Sequence, residues 1–181
     1  MFAVTPSALP GCVALQPRVL ADARGRFVKT FHAEAFRALG LETAFVEQYY
    51  SHSQAGVVRG MHFQRPPAQH AKLVYCTAGE VFDVVLDLRV GSPTYGQAAT
   101  FTLSAEQGNA LYIPAGLAHG FCALVEATLV YNVTSVYAPE QDDGVRWDSI
   151  GVDWPVAAPL VSPRDALFPA LADFASPFNY D

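Results

Sequence analysis

Residues 80–89 read Glu80-Val81-Phe82-Asp83-Val84-Val85-Leu86-Asp87-Leu88-Arg89. In an extended chain Phe82, Val84, Leu86 and Leu88 fall on one face, while Asp83, Asp87 and Arg89 share the other with Val81 and Val85. Such a strand separates a wholly apolar layer from a partly polar one. The same texture surrounds it. Gly, Pro, Ser and Asn punctuate further strand-like segments at Phe45 to His52, Val57 to Phe63, Lys72 to Thr77, Ala98 to Leu103, Ala110 to Ile113, Phe121 to Val125 and Thr128 to Thr134. Some eight short antiparallel strands predict a mainly β sandwich or jelly roll, whose interior can hold a ligand.

Outside this block the pattern changes. Val13 to Leu20 alternates weakly around Pro17, and Ala21 to Arg26 reads as a turn carrying Arg24 and Arg26. Phe27 to Phe31 reads as a strand with Phe27, Lys29 and Phe31 on one face. Ala33 to Leu39 has high helix propensity and Gly40 suits a left-handed cap, which predicts the one substantial helix. After Pro139 an acidic, turn-rich segment (Glu140 to Gly144) precedes the apolar anchors Trp147 and Trp154. Residues 156–181, with several prolines and the turn Ser162-Pro163-Arg164-Asp165, read as a strap packed on the barrel, so residues 1–181 form one domain.

Composition excludes several classes. The chain has 181 residues, a formal net charge of -6 and 51% hydrophobic residues, enough to bury a core and too apolar for a disordered chain. No apolar run reaches membrane-span length, and the N-terminus lacks the basic and apolar regions of a secretory leader. A cytoplasmic location and no membrane partner are expected. The acidic balance disfavours nucleic acid, yet a local group of Arg and Lys can still bind a small anion. Cys12, Cys76 and Cys122 form no C-x-x-C pair and read as core thiols without a disulfide framework.

The chemistry concentrates between Gly56 and Tyr75, where two apolar runs flank a bend and Arg59, His62, Gln64, His70 and Lys72 gather donors around a titratable base. Met61 and Phe63 face away from His62, leaving the imidazole alone on the opposite surface. By itself His62 reads as a hydrogen-bonded wall residue more readily than as a base. A carbon acid beside a carbonyl needs a base near neutral pKa, a cation at the developing enolate oxygen and an acid to return the proton. His62, Lys72 and Tyr131, or another of the eight tyrosines, supply those residue types.

Gly108 to His119 matches the second motif of the cupin superfamily: Gly, five residues, Pro-x-Gly, two residues, His. Pro114 and Gly116 would make a tight turn that sends His119 back into the barrel. The first cupin motif offers His-x-His, whereas His62 is followed by Phe63 and Gln64, so the ligands of a metal site are not assembled and no metal is expected.

A longer series is more specific. Arg59-Gly60-Met61-His62-Phe63-Gln64, Lys72-Leu73-Val74, Gly79 to Val84, Ser92-Pro93-Thr94-Tyr95-Gly96, Ile113 to Phe121, Tyr131, Tyr137-Ala138-Pro139, Gly144-Val145-Arg146-Trp147 and Ser162 to Asp165 together resemble the dTDP-4-dehydrorhamnose 3,5-epimerase family, from Arg24 to Pro169. The resemblance implies a homodimeric jelly-roll cupin with one short helix, acting without metal or other cofactor on a nucleotide-activated 4-keto-6-deoxy sugar. It makes His62 the base, Asp165 its orienting carboxylate, Lys72 the holder of the 4-oxygen and Tyr131 the acid on the opposite face. It also implies substrate contacts from Arg24, Arg59 and His119, base stacking by Tyr137, and further binding roles for Lys29, Glu47, Gln48, Tyr49, Gln64, Asp142 and Arg164.

Two stretches depart from that pattern. Lys29 stands where the family carries Glu, and Glu47-Gln48-Tyr49-Tyr50 stands for Gln-Asp-Asn-His. The nucleobase, the sugar and the number of carbons inverted therefore stay open. So do a related ketoisomerase, a sugar-nucleotide-binding cupin without catalysis, and a metal-dependent dioxygenase.

Overall fold

The computed structural model describes residues 1–180; Asp181, the last residue of the expected strap, lies outside them. In chain order the elements are β1 (Phe2–Pro6), β2 (Val13–Pro17), β3 (Val19–Asp22), β4 (Gly25–Val28), α1 (Ala33–Ala38), β5 (Glu47–Ser53), β6 (Val58–Gln64), β7 (Lys72–Ala78), β8 (Glu80–Asp87), β9 (Arg89–Val90), β10 (Ala98–Ser104), β11 (Ala110–Ile113), β12 (Leu117–Ala123), β13 (Ala127–Val133), β14 (Asp142–Gly144), α2 (Pro163–Ala166) and β15 (Phe178–Asn179).

Two antiparallel sheets carry the fold, one ordered β1-β2-β11-β7-β13-β5 and the other β10-β8-β12-β6-β14. This is the mainly β, jelly-roll arrangement expected from the strand pattern. β8 divides the core as its alternation requires. Val81 and Val85 join Val74, Leu111, Leu129 and Phe121 in the apolar interior between the sheets. Val84, Leu86 and Leu88 instead pack with Met61, Phe63, Phe174 and Phe178 on the other face of the smaller sheet. A third cluster, Leu15, Phe36, Leu73 and Tyr112, sits where α1 covers the larger sheet. Most of these side chains are wholly buried, each contributing about 1.5–3 kcal/mol of transfer free energy.

Several local expectations change. β8 stops at Asp87 because Asp87 Oδ1 accepts the Arg89 N–H and the guanidinium folds back on the same carboxylate at 2.8–2.9 Å, which turns the chain. β12 begins at Leu117 rather than Phe121, so His119 lies on a strand. The turn expected over Ala21 to Arg26 is mostly hairpin, β3 pairing with β4. β4 ends at Val28, and His32 caps α1 three residues after Lys29. Lys29 is therefore not flanked by aromatics on one face: Phe27 stands free, whereas Phe31, although 37% exposed, lays its ring edge-on against Phe36 and Phe45, with centroids 5.0 and 5.3 Å away. Residues 162–165, read as a turn, open the second helix, α2, where Ser162 caps Asp165 N–H at 3.1 Å and Pro163 occupies the first turn.

The segment after residue 156 returns along the smaller sheet. Leu160 bridges Val57, α2 packs at β6, Phe174 and Phe178 fill the outer core, and β15 pairs in parallel with β9. All three cysteines are buried and free, and burial pushes the thiols of Cys12 and Cys76 up to about 12. Among the described residues no helix is long and apolar enough to cross a membrane.

Candidate active site

Alternation places the inward-facing side chains. On β7, Lys72 shares the face of Val74 and Cys76; on β13, Tyr131 shares that of Leu129 and Val133; on β8 and β12, Asp83 and His119 lie among residues of the inter-sheet core. β6 breaks the simple rule. It pairs His62 with His119 but Arg59 with Phe121, so two residues on β6, Gly60 and Met61, oppose the single Gly120. This β-bulge lets Arg59 and His62, an odd number of residues apart, line the same cavity. Gly60 is required there: its φ is +131°, and a Cβ would stand 2.5 Å from the Gly120 Cα.

His62 Nε2 lies 2.9 Å from Asp165 Oδ1, and Asp165 Oδ2 accepts the Gly60 N–H at 3.1 Å. Because the carboxylate accepts from Nε2–H, the lone pair of Nδ1 is left for chemistry. Burial by itself raises the Asp165 pKa, but hydrogen bonds from His62, the Gly60 N–H and Ser162 together hold it below the ordinary carboxylate range. Phe168 closes one side, its ring edge-on to the imidazole at 5.8 Å.

From the opposite sheet Tyr131, 8% exposed, points into the same cavity as His62. Its hydroxyl is 3.2 Å from Ser51 Oγ, and burial pushes its pKa far up, so the phenol keeps its proton. Lys72 Nζ donates to the His62 carbonyl at 3.0 Å, and burial lowers its pKa to about 8. His119 Nε2 pairs with Asp83 Oδ2 at 2.8 Å beneath this floor. Asp83 Oδ1 is a buried side-chain oxygen without a partner among the described residues, and burial raises the carboxyl's pKa against the opposing pull of His119 and Lys72.

The inner cavity, about 200 Å³, is lined by Arg59, His62, Lys72, His119 and Tyr131 together with Tyr49 and Ser51. It adjoins an outer cavity of about 390 Å³ that shares Tyr49, His62 and Lys72 and adds Glu47, Gln64, Tyr137, Asp142 and Arg164. Glu47 Oε2 accepts the Tyr137 N–H at 2.9 Å, and Arg164 pairs with Asp142 at 2.9 Å. Gln64 is spent on the wall, donating to Ala68 O and accepting from Ala138 N–H, which leaves it as a scaffold.

The structure does not bring every expected residue here. Arg24 sits on the exposed β3–β4 hairpin, paired with Asp22 at 2.6 Å, beside a separate surface hollow. Lys29 lines none of the cavities described. Gln48 alternates away from Glu47 and Tyr49 and donates to Asn132 Oδ1 at 2.6 Å. His70, noted on the bend, lines the outer cavity, and three further contributors were given no role from the sequence: Ser51, Asp83 and Phe168. Ser51 and Asp83 were visible as same-face neighbours of Tyr49 and Val81; Phe168 carried no local signal. Among the described residues no cluster of three or more His, Cys, Asp or Glu is placed to hold a metal ion.

An imidazole on the smaller sheet, backed by the Asp165 carboxylate from α2, and a buried phenol on the larger sheet therefore share a cavity with a buried ammonium. The model of the dTDP-4-dehydrorhamnose 3,5-epimerase family matches residues 6–173. The chain belongs to that family. It is 42% identical over 166 residues to the dTDP-4-dehydrorhamnose 3,5-epimerase of Shigella flexneri, covering 90% of this chain and 92% of that one. A dTDP-4-dehydrorhamnose 3-epimerase of Streptomyces niveus is also 42% identical, over 88% of this chain and 79% of its own. The dTDP-6-deoxy-D-glucose-3,5-epimerase of Legionella pneumophila, solved in complex with dTDP-4-keto-L-rhamnose, superposes with a TM-score of 0.95 at 34% identity over 100% of both chains. The superposition covers the whole length of both chains, so the fold is shared from end to end.

Proposed function

We propose that this chain epimerises a nucleotide-diphosphate 4-keto-6-deoxy sugar at carbon 3, carbon 5 or both. The observation that carries this reading is the convergence of His62, backed by Asp165, and Tyr131 on one cavity from opposite sheets, with Lys72 among them. The 4-ketone acidifies the hydrogens on both neighbouring carbons. His62 Nδ1 takes one of them as the C–H electron pair moves toward the ketone oxygen, where the Lys72 ammonium balances the enolate charge. Tyr131 O–H then returns a proton to the opposite face of the same carbon, and the phenolate recovers its proton from solvent. Removal and return on opposite faces invert the centre, each acid–base step contributing about 10²–10⁴-fold.

The division of the two cavities supports the assignment of the substrate's ends. The sugar occupies the inner cavity beside His62, Tyr131 and His119, with Arg59 offering its guanidinium to diphosphate oxygens. The nucleoside lies in the outer cavity, its base against the half-exposed ring of Tyr137. Arg164 and Asp142 bound that space. The enzyme works in the cytoplasm as a homodimer; the exposed apolar Leu20 and Phe27 on the β3–β4 hairpin suit a surface that a second copy covers, and sedimentation equilibrium checks this.

Incubation with dTDP-4-keto-6-deoxyglucose in deuterated water tests the reaction. Deuterium should enter at the carbons beside the ketone, and NMR of the product should show inversion there. Exchange no faster than a protein-free blank, for that sugar and for its relatives on other nucleotides, would end the proposal.

A further inference from the structure

Tyr49 and Tyr131 are register partners across β5 and β13, and their rings stack at a centroid distance of 4.8 Å and an interplanar angle of 18°. Two residues along the same face of β5, Ser51 holds the Tyr131 hydroxyl at 3.2 Å. The phenol is thus gripped at its ring and at its oxygen by one strand. That strand is the outermost of its sheet and pairs within it with β13. His119 meets the Tyr131 ring edge-on at 5.9 Å from the floor, so the freedom left to the phenol lies toward β5. Tyr49 also borders both cavities, standing with His62 and Lys72 where the inner one opens into the outer.

We propose that Tyr49 is a positioning residue: by stacking on Tyr131 it fixes the phenol on the face opposite His62, and so decides whether a deprotonated carbon is returned inverted or unchanged. This rests on the epimerase reading above. It acts on the second half of the reaction only. His62 and Lys72 form the enolate whether or not the phenol is aligned; a displaced phenol leaves proton return to the face from which the proton left, which exchanges the hydrogen without inverting the centre. The ring matters more than the hydroxyl, since it is the flat contact that holds Tyr131, and an offset aromatic pair contributes about 0.5–1.5 kcal/mol beyond its burial.

The test compares deuterium incorporation with inversion, carbon by carbon, for wild type, Tyr49→Ala, Tyr49→Phe and Tyr131→Phe acting on dTDP-4-keto-6-deoxyglucose. Tyr49→Ala should raise the ratio of exchange to inversion at least about tenfold, toward that of Tyr131→Phe, while Tyr49→Phe keeps it within about twofold of wild type. A wild-type ratio in Tyr49→Ala, or an equal rise in Tyr49→Phe, overturns the assignment. Tyr49 is 42% exposed, so its truncation leaves the core intact; should Tyr49→Ala melt early, Tyr49→Leu carries the same comparison. A wild-type protein that exchanges no label refutes the epimerase reading itself, and the role of Tyr49 falls with it, whereas normal wild-type turnover with an unmoved ratio refutes the role of Tyr49 alone.

Discussion

Arg59 and His62 lie three residues apart on one strand and yet face the same cavity, because the two-residue bulge at Gly60 and Met61 turns β6 by one position against Gly120. The guanidinium proposed for the diphosphate and the imidazole proposed as the base are therefore coupled through a single backbone irregularity. Asp165 stabilises that irregularity as well as the imidazole, since its second oxygen takes the Gly60 N–H.

Replacement of Gly60 by Ala should disable the site and destabilise the chain together. The new methyl meets the Gly120 Cα and the His119 carbonyl, and φ of +131° is strained for any residue with a Cβ. A loss on the order of 3 kcal/mol or more is expected in urea or guanidinium unfolding. Wild-type stability with wild-type turnover would show that the bulge is not needed.

How much of this was legible in the sequence follows from the range of the forces involved. Strand alternation is a local property, so β8, β11 and β13 and the inward faces of Lys72 and Tyr131 could be read from residues 72–134. The bulge was not, because a two-against-one pairing depends on the partner strand; the Arg59-Gly60 pair hints at it only once Gly120 is known to lie opposite. Asp165 came from the resemblance, and its closeness to His62 spans 103 residues of chain. Arg24 and Lys29 fared differently. Arg24 comes from the resemblance and Lys29 is a departure from it, yet the hairpin that carries Arg24 projects into solvent and Lys29 follows the end of β4, so a single chain does not draw them into its own cavity.

Substitution of Asp165 by Asn should lower turnover by roughly 10²–10⁴-fold, because one amide oxygen cannot serve both the Gly60 N–H and His62 Nε2–H and the protonated imidazole loses its countercharge. The pH dependence of stability gives an independent reading. The folded pKa of Asp165 lies below its unfolded value of about 3.8, so its contribution is whole above that value and is lost as pH falls through the folded one. Wild type should therefore lose stability more steeply than Asp165→Asn in acid denaturation below about pH 4. Parallel acid limbs would contradict the charged pairing.

Tyr137 lies in the outer cavity, away from the reacting carbons, and its consequence should be of another kind. Truncation to Ala should raise KM about tenfold with kcat changed by less than about threefold, as expected when a stacking contact made equally in ground and transition states is removed. Tyr137→Phe should be close to wild type, since among the described residues the hydroxyl has no hydrogen-bond partner. A fall in kcat with KM unmoved would place this ring at the chemistry instead.

Lys72 ties the alkaline limb of activity to stability with opposite signs. Lys72 is 5% exposed, and burial, opposed by Asp142 and Asp83, brings its pKa from 10.5 to about 8. The charge that neutralises an enolate is then lost as pH rises through about 8, so kcat/KM, which reports the free enzyme, should fall over that interval. Stability moves the other way. Between about 8 and 10.5 the unfolded chain holds a proton that the folded one has released, so folding becomes more favourable as pH rises, by up to the order of 3 kcal/mol. Lys72→Met should remove this rise in stability and abolish the alkaline limb along with most of the activity. Stability curves and rate profiles collected between pH 7 and 11 check both halves, and a rate that holds level to pH 10 would mean that Lys72 does not carry the oxyanion.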